Sequence, residues 1–178
     1  MRYLRIPRER VGVLIGREGE TKKAIEHIAQ VTLEIDSEGG EIVIDDSKAT
    51  DPVTLLQVED VIRAIGRGFS PEYALKLFSD ELDFFIFDIY EYAGRKENHV
   101  IRLKSRVIGS EGKTKRVIEG LTGAHLSIYG HTVAIIADLE YMDIIKRAID
   151  MILSGSKHFK VYQFIEREMK KAKKGSQW

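Results

Sequence analysis

The apolar positions along this chain change period in a fixed order, and each change marks an element. Tyr3-Leu4-Arg5-Ile6 alternates, which predicts a short strand closed by Pro7. Over 8–15, Val11, Leu14 and Ile15 fall three and four apart, predicting a helix that Gly16 stops. Ala24, Ile25 and Ile28 predict a second helix over 21–29. The stretch 31–36 alternates again, Glu38-Gly39-Gly40 is turn chemistry, and 41–45 reads as the returning strand of a hairpin. Asp51 as N-cap and Pro52 at the first helical position open a third helix, and Leu55, Val58, Ile62 and Ile65 carry it to Gly66.

The second half repeats this order. Ser70-Pro71-Glu72 opens a short helix through Phe78, which reads as a connector. The aromatic-rich run 82–92 predicts a strand buried on both faces, and 93–96 an insertion. Helices are then expected over 97–108 (on Val100, Leu103 and Val107), 114–121 and 139–153, with strands at 125–129 and 132–137. A further helix over 157–173 is apolar at Val161, Phe164 and Ile165 and wholly basic at its end, which reads as a solvated tail.

The repetition extends to the text itself. Gly16-Arg17-Glu18-Gly19 and Gly109-Ser110-Glu111-Gly112 stand 93 residues apart, and the same offset pairs Thr21 with Thr114, Ile28 with Leu121, Leu33 with Leu126, Ile35 with Ile128 and Ile42-Val43 with Ile135-Ile136, with no gap. A third Gly-x-x-Gly, at Gly120 and Gly123, has no such surroundings. Two glycines around two residues let the main chain approach another backbone closely. The Thr-Lys-Lys and Thr-Lys-Arg that follow place cations at a helix N-terminus, where free N–H groups and the dipole favour phosphate. Glu18 and Glu111 oppose that attraction, and the Arg17-Glu18 pair makes the first loop the weaker phosphate-facing candidate.

Helix, Gly-x-x-Gly, helix and hairpin together resemble the KH domain, whose loop clamps about four nucleotides of single-stranded nucleic acid. The position three after the second glycine, commonly apolar in KH domains, is here Lys22 and Lys115. That departure, the run from Gly112 through Glu119, Gly130-His131-Thr132-Val133, Ala148-Ile149 to Gly155, and Gly68-Phe69-Ser70-Pro71-Glu72-Tyr73 resemble the Dim2 (Pno1) and Krr1 ribosome-assembly factors. The resemblance implies an α+β chain of two type I KH domains (βααββα), each a three-stranded antiparallel sheet backed by three helices. These would span 1–69 and 81–156, joined by a connector at 70–80 and followed by a basic helix and tail at 157–178. It implies non-catalytic binding of single-stranded RNA, with small-subunit pre-ribosomal RNA near the 3′ end of 16S rRNA as target. Other assembly proteins such as the rRNA dimethylase are the implied partners. The RNA-binding set is then Gly16, Arg17, Glu18, Gly19, Lys22 and Lys23 in the first unit, and Arg106, Gly109, Ser110, Glu111, Gly112, Lys113, Lys115 and Arg116 in the second. Ile25, Ile28, Ile118 and Leu121 either floor the groove that reads bases or fill the core.

Composition bears on this in two ways. Net charge is zero, which argues against a uniformly basic nucleic-acid binder. The charge is segregated, however: 1–23 carries seven Lys/Arg against three Glu, 95–116 eight against two and 157–174 seven against two, whereas 34–51 and 72–91 are acidic. The positive stretches include both loops, and the acidic ones suit protein docking. Cysteine is absent and the five histidines lack ligand spacing, so neither metal nor cofactor is expected. No apolar run is long enough for a membrane span, and a cytoplasmic protein is expected. The rival enzyme reading is a P-loop NTPase on Gly112-Lys113-Thr114 with Asp88 or Asp138 as metal ligand. It lacks the glycine that motif needs, since Val107 stands there.

Overall fold

The computed structural model describes residues 1–175, so the end of the expected tail, 176–178, lies outside the described residues. Two compact units form, Met1–Asp80 and a second from Glu81 onward. The first runs β1 (Arg2–Arg5), α1 (Arg8–Ile15), α2 (Glu20–Ala29), β2 (Thr32–Ile35), β3 (Glu41–Asp45), α3 (Pro52–Gly66) and α4 (Pro71–Ala74). The second runs β4 (Leu82–Asp88), α5 (Tyr90–Ala93), α6 (Glu97–Ile108), α7 (Lys113–Thr122), β5 (His125–Tyr129), β6 (Thr132–Asp138), α8 (Met142–Leu153) and α9 (His158–Gly175). This is the expected α+β architecture. Each unit holds a three-stranded antiparallel sheet with its last strand in the middle, in the orders β1-β3-β2 and β4-β6-β5. No helix among the described residues is long and apolar enough to cross a membrane.

The cores are built from the periodic positions. Leu14, Ile25, Leu33, Ile42, Ile44, Ile62 and Ile65 are fully buried in the first unit, each contributing on the order of 2 kcal/mol by leaving water. In the second, Val107, Ile118, Leu126, Val133, Ile135, Ile145 and Ile149 form the matching cluster, and α9 adds Val161, Phe164, Ile165 and Met169. Asp51 caps α3 by accepting from the Val53 amide at 2.9 Å, as its position before Pro52 predicts. The segment expected as a connector, 70–80, packs along α3: Ala74 and Leu77 are buried, as is Phe69 just before it, and Gln57 donates to Asp80 at 3.0 Å.

Three expectations need correction. The aromatic strand ends at Asp88, because the Asp88 carboxylate accepts from the Tyr90 amide (2.9 Å) and from His131 Nδ1 (2.8 Å), turning the chain into α5. Every residue of β4 is half-buried and none is fully so, as suits an edge strand paired only with β6. The gapless repeat also fails in the hairpins. Leu33 pairs with Ile44, but Leu126 pairs with Ile135, which the constant offset equates with Ile42. The second hairpin turns tightly, with Tyr129 opposite Thr132, whereas Asp36–Gly40 lies between the strands of the first. A slip of two residues leaves every side chain on its original face, so the hydrophobic pattern conceals it.

Arg106 is the third correction. It was expected among the RNA-binding residues, but its guanidinium turns inward and donates to the carbonyls of Ile152 (3.1 Å) and Ser156, tying α6 to the end of α8. Arg10 ties α1 to the end of α3 in the same way, donating to Ile65 and Phe69, each at 2.8 Å. Replacing Arg106 with Ala leaves those partly buried carbonyls without their charged donor. We expect a loss of about 2 kcal/mol, read as a lower denaturant midpoint for the second unit.

Candidate nucleic-acid interface

The two loops have one geometry. Gly16 sits at φ 77°, ψ 174° and Gly109 at 77°, 172°; Glu18 at 55°, 25° and Glu111 at 53°, 29°; Gly19 at 77°, 14° and Gly112 at 76°, 14°. The first glycine of each lies in a region that only glycine populates, and the third residue is a non-glycine in the left-handed region. Space matters as well as angle. A Cβ on Gly16 would stand 2.8 Å from the Thr21 amide nitrogen and 2.5 Å from its Oγ1, and one on Gly109 would meet Thr114 more closely still. Both threonines are buried, so this side of the loop is filled. A Cβ on Gly19 or Gly112 would meet only the end of Lys23 or Arg116. The second glycine therefore leaves an open flank along which another backbone can pass.

Those two cations do something sequence alone did not reveal. Lys23 Nζ donates to the Glu18 carbonyl at 3.2 Å, and Arg116 Nη1 donates to the Glu111 carbonyl, so each holds the strained residue of its own loop. Lys115 lies 3.7 Å from Glu119, one helical turn on. Arg17, Ser110, Glu111 and Lys113 are exposed at the loops, and Lys22 is half-buried. The loops differ most at the residue after the second glycine, which is Glu20 in the first unit and Lys113 in the second. Each opens a helix, α2 or α7. The expected groove residues divide: Ile25 and Ile118 are fully buried in the cores, Leu121 packs partly against the core, and Ile28 is 49% exposed on α2.

The rival readings lose their geometry. The Gly109 loop follows a helix, α6, whereas a P-loop follows a strand. Asp88 is engaged as described, and Asp138 accepts from the Glu140 amide at 2.9 Å. Asp45 accepts from the Ser47 amide, and that bond holds its carboxyl below the usual range. Among the described residues no cluster could hold a metal ion.

The KH domain model matches residues 1–66, and the eukaryotic type KH-domain (KH-domain type I) model matches 83–170. The chain is a tandem KH-domain protein. It is 50% identical over 171 residues to the KH domain-containing protein MJ0443 of Methanocaldococcus jannaschii, covering 96% of this chain and 75% of that one. Its structure is similar to Dim2p from Pyrococcus horikoshii OT3 (39% identity, TM-score 0.84, 93% of this chain and 98% of that one). It is also similar to a chain of the a/eIF2alpha-aDim2p-rRNA complex from the same organism (38% identity, TM-score 0.86, 96% and 94%). The KH match over 83–170 takes in most of α9, so the added helix belongs to the second KH unit by sequence as well as by packing.

In this KH pair the two glycines of one loop should respond differently to Ala. Gly109→Ala drives a methyl into Thr114 and should cost at least 3 kcal/mol, combining backbone strain with overpacking. Gly112→Ala meets only the movable end of Arg116, whose Nη1 would stand 3.1 Å from the new methyl, and should cost about 1 kcal/mol, mainly from its positive φ. Denaturant unfolding of the two variants checks the order.

Proposed function

We propose that this protein binds single-stranded RNA through loop 109–112, and that its target is small-subunit ribosomal RNA near the 3′ end of 16S rRNA during ribosome assembly. The observation that carries this is Lys113. A cation at the first position of a helix opposes the dipole by about 0.3–1 kcal/mol, and Lys113 is exposed there with the open flank of Gly112 beside it. The position suits a phosphate and not the helix. Close approach at Gly112 and the exposed charge of Lys113 together suit sequence-independent contact with the sugar-phosphate chain. The rRNA in the complex that contains the Pyrococcus relative supports the target class. Other assembly proteins, the rRNA dimethylase among them, are its proposed partners, and the role is one of binding without catalysis.

A docking role for the first unit is favoured by Glu20 in place of Lys113 and by the exposed Ile28, an acid and an apolar side chain beside an otherwise identical loop.

Affinity for a short pyrimidine-containing RNA should fall steeply with salt, by about 0.7 in log–log slope per phosphate neutralised. Lys113→Glu should weaken binding about tenfold at moderate salt and flatten that slope by about one contact. Replacing both Ser110 and Glu111 with Asp should weaken it similarly with the unfolding midpoint unchanged. Salt-independent binding, or an unaltered slope in Lys113→Glu, would sink the reading.

A further inference from the structure

Helix α9 lies outside the βααββα order, and its first turns are fastened to both helices that the second loop joins. His158 Nε2 lies 2.8 Å from the Arg106 carbonyl in the last turn of α6, and since a carbonyl only accepts, Nε2 donates. Tyr162 Oη donates to Thr114 Oγ1 at 3.2 Å in the first turn of α7. This is the same Thr114 that stands behind Gly109. Between these two anchors sits Phe159, 68% exposed. At about 100° per residue, Phe159 falls roughly 60° round the helix from Tyr162, which bonds to the first turn of α7, and away from the buried Val161 and Ile165. Lys157 and Lys160, its near neighbours in sequence, are also exposed.

A large apolar ring that is two-thirds exposed contributes little to the stability of the free protein. On a turn that is bonded to both helices of a phosphate-gripping loop, with Lys157 and Lys160 exposed next to it in the chain, it has the makeup of a stacking platform, since every nucleobase offers a face to an aromatic ring whatever its sequence. We propose that Phe159 stacks on an unpaired base of the same RNA strand, one nucleotide beyond the stretch of about four that the loop and its groove hold. This makes the first turn of α9 an extension of the second unit's RNA site. It rests on the RNA-binding reading above and adds to it a base contact with no phosphate partner. The choice of RNA as occupant follows from the bonds that tie this turn to both helices of the loop and from the exposed Lys157 and Lys160 next to Phe159 in the chain.

The test uses the full chain and two single-stranded pyrimidine RNAs, one of about four nucleotides and one of about eight. Phe159→Ala removes only an exposed ring, so its unfolding midpoint should match the parent's. Its affinity for the longer RNA should fall roughly tenfold, with the salt slope unchanged and binding of the shorter RNA unaltered. Phe159→Trp should restore tight binding. An abasic site scanned along the longer RNA should reproduce the loss at one position and make Phe159→Ala silent there. If Phe159→Ala binds both RNAs like the parent while Lys113→Glu still weakens binding, the platform is overturned and the loop reading stands. If the parent binds neither RNA, both fall together.

Discussion

One steric exclusion sets the geometry of both loops: no side chain fits at Gly16 or Gly109. The threonine at the second position of the next helix occupies the volume where a Cβ would be, and the backbone there lies in a region closed to other residues. That exclusion ends one helix and starts the next within four residues. It also leaves the left-handed conformation to a glutamate and opens the far flank at the second glycine. The lysine or arginine one turn into the following helix then holds the glutamate's carbonyl. A cation that sequence assigns to phosphate is thus partly engaged in shaping the loop.

Around the second loop, choices that cost the free protein accumulate. Glu111 is left-handed, Lys113 faces the wrong end of a helix dipole, and Phe159 stands in water. Proteins tend to depart from local rules where a function requires it. The first unit shares the left-handed residue, but its helix opens with Glu20, which agrees with the dipole. Identical backbones therefore carry different electrostatics.

Most of the fold was legible because helix and strand periods are strong signals and the duplication doubled them. Elements over 8–15, 41–45 and 97–108 were read to their ends. What escaped notice depends on contacts distant in sequence. The end of the aromatic strand is decided by Asp88 meeting His131, residues far apart in the chain. The hairpin slip of two residues is hidden by the two-residue period of a strand. Of the loop cations, Lys113 and Arg17 emerged as exposed charges, whereas Arg106 proved to be a tie between helices, and no local pattern separates the two uses. For Phe159 a signal was available: it interrupts the polar face of an amphipathic helix.

The inward-turning arginines bear on how the two halves have come to differ. Arg10 and Arg106 make the same bonds to the end of the third helix, yet they stand 96 residues apart while the loops stand 93 apart, so the guanidinium reaches its carbonyls from nearly one turn closer to the loop in the second unit. A chimera that exchanged α1 for α6 would keep the glycines in place and put the arginine a turn away from its acceptors. The duplicated halves have thus become mutually non-interchangeable parts, each of which can drift only together with its own third helix.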